Sequence, residues 1–311
     1  MMIVLWGLTG DGPFDAVAAA LRRRDAPCVL IDQRRVLETR VARNGSDGDE
    51  TTVTVGDETF RLDAARAVYW RTYDLAKVPA VLDAPPHAQA AKCASEVEQA
   101  LVIWLDMADA LVFNRPSAMA SNNSKPYQMQ LIRELGFEVP HTLITTDPDA
   151  AARFWTESGA AIYKSISGTR SVVSTLRMRD LARLSNVAWC PTQFQQYVPG
   201  SDYRVHVVGD AVFPCEIVSE ADDYRYAALH GDAPVLRAAT LPAGLAERCV
   251  HLSRKLDLPL AGIDLRRTPD DRWYCFEVNP SPGFTYYEAH TGQPIADTIA
   301  ACLADAAREH A

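Results

Sequence analysis

Clustered cysteines are missing from this 311-residue chain: the seven stand at 28, 93, 190, 215, 249, 275 and 302, without CxxC or CxxxC spacing. Structural zinc needs grouped thiolate or imidazole ligands, and this spacing supplies none. An odd, dispersed set fits reduced thiols in a cytoplasm, mostly buried as small hydrophobes. Apolar runs are short, and none reaches the ~18–20 residues of a membrane span. The opening stretch MMIVLWGLTG lacks the length and basic start of a secretion signal and is expected to form a first buried strand. Basic runs are absent too. The formal charge is −9, so the grouped Lys and Arg that nucleic-acid phosphates require are lacking. A small anion, which needs only local positive groups, is not excluded. There is no internal repeat and no low-complexity segment. What is present is ordinary for a soluble globular protein: 48% hydrophobic and 23% charged residues, in a chain long enough for two or three compact units.

Residues 1–113 alternate between strand and helix patterns. MIVLW, PCVLID and ARAVYWR have strand character, FDAVAAALRRRD is an amphipathic helix, and TTVTV and ETFRL form a hairpin about Gly56-Asp57. A long helix over 88–108 and the strand ALVFN complete an α/β unit with a mainly parallel sheet. A boundary is expected at Asn114-Arg115-Pro116. SNNSKPYQMQLIRELGF is then a helix ending at Gly136, HTLITT a strand, and DPDAAARFWTESG a helix opened by Asp147. AAIYKSI and TQFQQYV are strands separated by the loop SGTRS. DYRVHVVGDAVFPCEIV is a hairpin turning at Gly209-Asp210. A loop is expected over 219–240, then the helix LAERCVHLSRKLDL, a second hairpin GIDLRR/WYCFEVN, and a last helix from Pro294.

The second hairpin carries the chemistry. Glu277 and Asn279 lie two apart on a strand and project together. A four-residue loop, Pro269–Arg272, sets Asp264 opposite Glu277 and Gly262 opposite Asn279. Ile263, Leu265, Tyr274, Phe276 and Val278 then face a core. Two carboxylates directly opposite repel each other, whereas three oxygen ligands on one rigid face suit a hard cation such as Mg2+. Gly262 leaves room for a ligand beside Asn279. The alternative is a solvated sheet face balanced by Arg266.

Groups of opposite sign lie upstream. Lys164 shares a strand face with Ile162 and Ile166, so it must snorkel or meet an anion. The loop Ser167, Gly168, Thr169, Arg170 and Ser171 offers amides, hydroxyls and a guanidinium that could cover a phosphate, or forms an ordinary turn. Lys125 sits at a helix start, where the dipole favours anions; alone it is a surface lysine. Asp202, Arg204 and His206 share a face opposite Val205 and Val207, with His206 taken as a satisfied strand residue. Arg225, between two tyrosines, either clamps a carboxylate or is a solvated loop arginine. Arg71, with Tyr73, ends a strand at the sheet edge where α/β proteins bind ligands, or is a rim arginine.

The order of these motifs resembles the ATP-grasp superfamily over roughly residues 112–304. It is similar to the branch of ribosomal protein S6 glutamate ligase, lysine-biosynthesis ligase and bacterial glutathione synthetase. FEVNPSPG, with an Asp about a dozen residues earlier, is the strongest element. The resemblance implies an N-terminal Rossmann-like pre-ATP-grasp domain (1–113) and a two-lobed α+β ATP-grasp fold, with a central lobe (114–198) and a C-terminal lobe bearing the metal site (199–311). It implies ATP as substrate, two Mg2+ (with Mn2+ as a substitute) on Asp264, Glu277 and Asn279, and Lys125 and Lys164 on the nucleotide's phosphates. It places Gln195, Gln196, Tyr197 and Val198 at the adenine, Asp202 at the ribose, Arg204 at the transferred phosphate and Arg225 at the acylphosphate. Ser281 and Gly283 would orient a substrate carboxylate. A homo-oligomer, as a dimer, is also implied. The chain departs from the family in SGTRS, where relatives have a glycine-richer run, and after Arg225, where YAALHGDAP lacks the Asn and Arg-Gly-Gly of the S6 ligases.

The implied chemistry is two-step. A carboxylate attacks the γ-phosphate of ATP to give an acylphosphate and ADP; an amine of an amino acid or peptide then displaces phosphate. The SGTRS loop and residues 219–240 are candidate lids. His206, His230 and Tyr287 are candidate bases, though a phosphate oxygen can take the proton. The alternatives are a nucleotide-binding module without turnover and a phosphotransferase that stops after the first step.

Overall fold

The computed structural model describes residues 2–44, 50–120, 124–166, 173–219 and 234–309. The first unit opens with β1 (Met2–Gly7), α1 (Gly12–Arg23) and β2 (Cys28–Asp32). Asp11 caps α1 by accepting from the Phe14 amide at 3.2 Å,. An antiparallel sheet follows: β3 (Thr39–Asn44), β4 (Glu50–Val55) and β5 (Glu58–Arg61). Gly56, at φ +63°, makes the β4–β5 turn,. Then come β6 (Ala65–Arg71), the short α2 (Pro79–Leu82), α3 (His87–Met107) and β7 (Leu111–Phe113). The parallel sheet has the order β2-β1-β6-β7. Its central strands are apolar on both faces because both are covered. Ile3, Leu5 and Tyr69 pack with Phe14, Val17 and Leu21 of α1, whereas Val4, Trp6 and Val68 pack with Leu101, Trp104 and Leu105 of α3.

The chain continues through α4 (Pro116–Met119), α5 (Lys125–Glu134), β8 (Thr142–Thr145), α6 (Pro148–Ser158), β9 (Ala161–Ser165), β10 (Ser174–Thr175) and, after a 3-10 stretch, β11 (Thr192–Gln196). These strands form an antiparallel sheet ordered β10-β9-β11-β8. Phe194 and Ala161 bury one of its faces against Ala151 and Phe154 of α6.

The largest sheet comes last: β12 (Ser201–Val208), β13 (Ala211–Val218) and β14 (Val235–Ala238), then α7 (Ala243–Lys255), β15 (Leu260–Arg267), β16 (Trp273–Asn279), α8 (Thr285–Thr291) and α9 (Ile295–Glu309). The order is β14-β13-β12-β15-β16, all antiparallel. β14 lies within the 219–240 stretch expected to be a loop. It is a strand because Leu236 packs with Cys215, Ile217 and Tyr287 while its backbone pairs with β13. One sheet face buries Val205, Val207, Ile263, Leu265, Cys275 and Val278 against α7 and against Met129 and Ile132 of α5. Thus α5, which precedes β8 in the chain, packs on the last sheet. The terminal helix α9 runs back to the first: Ile295, Ile299 and Leu303 join the cluster of Ile3, Leu5 and Phe14. All three are fully buried, and such a side chain contributes roughly 1.5–3 kcal/mol.

Candidate active site

The opposite face of the large sheet carries polar side chains in rows fixed by strand register. Arg204 stands beside Asp264, and Asp264 beside Glu277; His206 stands beside Gly262, and Gly262 beside Asn279; Asp202 stands beside Arg266. Alternation puts all of them opposite the buried Val205, Val207, Ile263 and Leu265. Asn279 Nδ2 lies 3.4 Å from both Asp264 Oδ2 and Glu277 Oε1, so the three oxygen-bearing groups converge as their spacing predicts. Arg204, 7% exposed, donates to Asp264 Oδ1 at 2.5 Å. Arg266 grips both oxygens of Asp202, at 2.7 and 2.9 Å, and donates to the Val198 carbonyl at 2.8 Å. It therefore neutralises Asp202.

Two details differ from expectation. Arg267, not Thr268, stands opposite Trp273, one residue out of the register of a Pro269–Arg272 loop; a bulge at Phe276 restores the pairing at Glu277,. Cys275 consequently takes the place expected of Phe276 beside Val278, while Tyr274 is buried outside that cluster. Phe276 turns instead to the polar face, its ring 5.4 Å below the Arg266 guanidinium. Gly262 is also not a vacancy for a ligand. A Cβ there would lie 2.5 Å from Arg204 Nη2 and 2.6 Å from Pro282 Cβ, so the glycine makes room for the arginine.

The loop after β16 crosses this face. Arg71, at the end of β6, pairs with Asp11 at 2.6 Å and donates to Ser281 Oγ at 2.9 Å and to the Ser281 and Pro282 carbonyls at 3.2 and 3.3 Å. The structure therefore joins Arg71 to Ser281, and the first sheet to the loop. His206, fully buried, places Nε2 3.3 Å from the Gly283 carbonyl and its ring 5.0 Å from that of Tyr287. Burial first, and then the Arg204 charge, hold its pKa well below 6.5.

Two supporting residues carry no signal in the sequence. Buried Asn114 donates to the Leu260 carbonyl at 2.6 Å and the Pro280 carbonyl at 2.5 Å, and accepts from the Leu260 amide at 3.0 Å. Gln128 of α5 meets both backbone groups of Val278, at 2.8 and 3.0 Å. They fix β15 and β16 at the level of the acidic cluster.

On the antiparallel sheet of β8–β11, Lys164 stands opposite Gln193 and Ile162 opposite Gln195, on the face away from Phe194 and Tyr163. Gln193 and Gln195 are buried, and neither Oε1 has a hydrogen-bond partner among the described residues. At the end of β11, the Gln196 amide bonds the His141 carbonyl and the following Tyr197 amide the Ala160 carbonyl, which holds the crossing to β12. Lys125 is the first residue of α5 and is half-buried. Ser167, Gly168, Thr169, Arg170 and Arg225 lie outside the described residues.

Two antiparallel sheets in sequence, the second bearing a cationic and acidic face, form an ATP-grasp fold. The chain belongs to the RimK-like ATP-grasp domain family, whose model matches residues 121–303. Curated relatives include a probable alpha-L-glutamate ligase of Sodalis glossinidius, 27% identical over 208 residues, 63% of this chain and 69% of the relative. The ribosomal protein bS6–L-glutamate ligase of Escherichia coli O81 is 27% identical over 205 residues, 62% of this chain and 67% of that protein. Among solved structures, the ATP-grasp ligase PsnB, complexed with a phosphomimetic variant of its minimal precursor, Mg and ADP, superposes with TM-score 0.82 at 26% identity, covering 98% of each chain. The macrocyclase MdnC of Microcystis aeruginosa MRC, bound with precursor peptide MdnA, gives TM-score 0.83 at 23% identity over 98% of this chain and 100% of that one. This chain is an ATP-dependent ligase that forms carbon–nitrogen bonds.

Proposed function

We propose that the chain ligates a carboxylate to an amine on a peptide through an acylphosphate. The observation that carries this reading is the convergence of Asp264, Glu277 and Asn279 beside Arg204. Two carboxylates and an amide that can turn its oxygen outward are hard donors on neighbouring strands, which fits Mg2+ or Mn2+. Among the described residues no three His, Cys, Asp or Glu gather, so the donor set is not that of a closed transition-metal site. Two Mg2+ held there would supply charge neutralisation between nucleotide and carboxylate. A peptide is favoured over a free amino acid by the likeness to PsnB, solved with its precursor peptide, at TM-score 0.82 and 26% identity over 98% of each chain.

In this reading Lys125, Lys164 and residues Ser167–Arg170 hold the phosphates, Gln195–Val198 the base and Asp202 the ribose. Arg204 faces the transferred phosphoryl group, and Arg225 the acylphosphate. The substrate carboxylate, oriented by Ser281 and Gly283 with Arg71 behind them, forms its oxygen–phosphorus bond as ADP leaves. The amine nitrogen then bonds the carbonyl carbon, phosphate departs, and a phosphate oxygen takes the amine's proton. Alignment of like-charged groups supplies much of the rate. The chain is further proposed to work as a cytoplasmic homodimer, which the family likeness and the seven free thiols support; light scattering giving a monomer mass would remove the dimer.

ADP release, measured with Mg·ATP and a panel of carboxylate- and amine-bearing peptides, tests the reading. Glu277→Gln and Asp264→Asn should each lower amine-dependent release by ~100-fold or more in proteins that melt like the wild type. Undiminished turnover in either variant would sink it.

A further inference from the structure

We propose that His206 is a positioning residue, one that fixes the loop from Ser281 to Gly283 over the acidic cluster by donating from Nε2 to the Gly283 carbonyl. The loop's role toward substrate rests on the reading above; the hydrogen bond and its test do not. His206 lies on β12 with no exposure, between Phe213 and Gly262 in register, beneath Tyr287. Its Nε2 is 3.3 Å from the Gly283 carbonyl oxygen. A carbonyl only accepts, so the contact requires the Nε2–H tautomer. That tautomer leaves Nδ1 a bare acceptor, and Nδ1 has no hydrogen-bond partner among the described residues.

A buried imidazole with one orphaned nitrogen is a poor way to fill space, because a phenyl ring fills it without the desolvation loss. What the imidazole adds over a hydrocarbon is the bond to Gly283. Gly283 itself is exposed, with no heavy atom within 4 Å of where a Cβ would stand, so packing does not hold it. On one side Asn114 binds the Pro280 carbonyl, and Arg71 binds Ser281 and Pro282. On the other, Phe284 is fully buried at the start of α8. His206 supplies the contact in between. Burial, and after it the charge of Arg204 two residues earlier on the same face, disfavours an imidazolium here,.

The experiment needs no substrate. In 15N-labelled wild-type protein the His206 ring should show a protonated Nε2 and an unprotonated Nδ1 near neutral pH; the reverse tautomer would overturn the proposal. The backbone order parameter of the Gly283 amide should then drop from about 0.85 to below about 0.6 in His206→Phe. It should stay near the wild-type value in His206→Gln, whose terminal amide can still donate. His206→Phe should melt no lower than wild type, a result that a merely structural role does not give. An ordered Gly283 in the Phe variant, or equal loss of order in both variants with lowered melting temperatures, would reject the assignment.

Discussion

Arg204 is held by what surrounds its guanidinium. Asp264 takes one amino group, and the missing side chain of Gly262 leaves space for the other. Gly262→Ala would drive a methyl into the guanidinium and into Pro282, and the arginine is the softer neighbour. Turnover should fall about tenfold or more, as loss of a transition-state donor does, with Mg·ADP affinity little changed by calorimetry; wild-type turnover would show that the guanidinium has somewhere else to go. The neighbouring His206 titrates in a defined direction. Its pKa is held well below 6.5 by burial and Arg204. Above that value the ring is neutral in folded and unfolded chains alike. Below it the unfolded chain binds a proton that the folded one refuses, and stability falls by about 1.4 kcal/mol per pH unit. Wild type should therefore lose melting temperature faster than His206→Phe between about pH 7 and 5; parallel curves would mean that the ring protonates in place. The placement of Asp264 opposite Glu277 was legible because strand alternation is rigid; the pairing of β12 with β15, which sets Arg204 beside Asp264, was not. The use of Gly262 was not, since an absent side chain leaves no mark of what fills its place.

Many strand and helix boundaries followed from periodicity, but the short elements β3, β10, α2, α4 and α8 did not, and neither did what packs on what. The bulge at Phe276 is invisible in WYCFEVN because Tyr274, Cys275 and Phe276 are all apolar enough for either face, and only the tertiary pairing chooses,. β14 escaped notice for a related reason: four residues form a strand only when an edge is offered to them,. At Val278 the edge of β16 is closed by Gln128, whose amide mimics a neighbouring strand by meeting both backbone groups. Nothing in KPYQMQLIRE separates this glutamine from Gln130, which is exposed. Gln128→Ala would leave a buried amide and a buried carbonyl unpaired. The cost should be about 1–3 kcal/mol, read from urea unfolding, with a matching loss of ADP release; Gln130→Ala should cost almost nothing. A Gln128→Ala protein as stable as wild type would mean that another donor closes the edge.

Across the whole molecule, the first and last elements of the chain share one core, and the sheet they complete is tied to the site. α9 seals the parallel sheet from which Arg71 projects, and Arg71 spans from Asp11 on that sheet to Ser281 and Pro282 beside the acidic cluster. The position of Arg71 at a strand's carboxyl edge was legible; its partner 210 residues away was not, because chain order says nothing of which loop returns there. Arg71→Ala cuts these links while leaving Asp264, Glu277, Asn279 and Lys164 in place. The side chain is 20% exposed and its partner Asp11 25%, so the ion pair is partly screened and the main loss is loop position. With a peptide that the ADP-release screen identifies, KM for that peptide should rise about tenfold, equivalent to about 1.4 kcal/mol, while KM for ATP holds. Arg71→Lys keeps the charge but loses the fork that reaches Asp11 and Ser281 together, and it should recover little. If both variants left the peptide KM unchanged, the parallel sheet would only buttress the loop. If KM for ATP rose instead, Arg71 would belong to the nucleotide's side of the cleft.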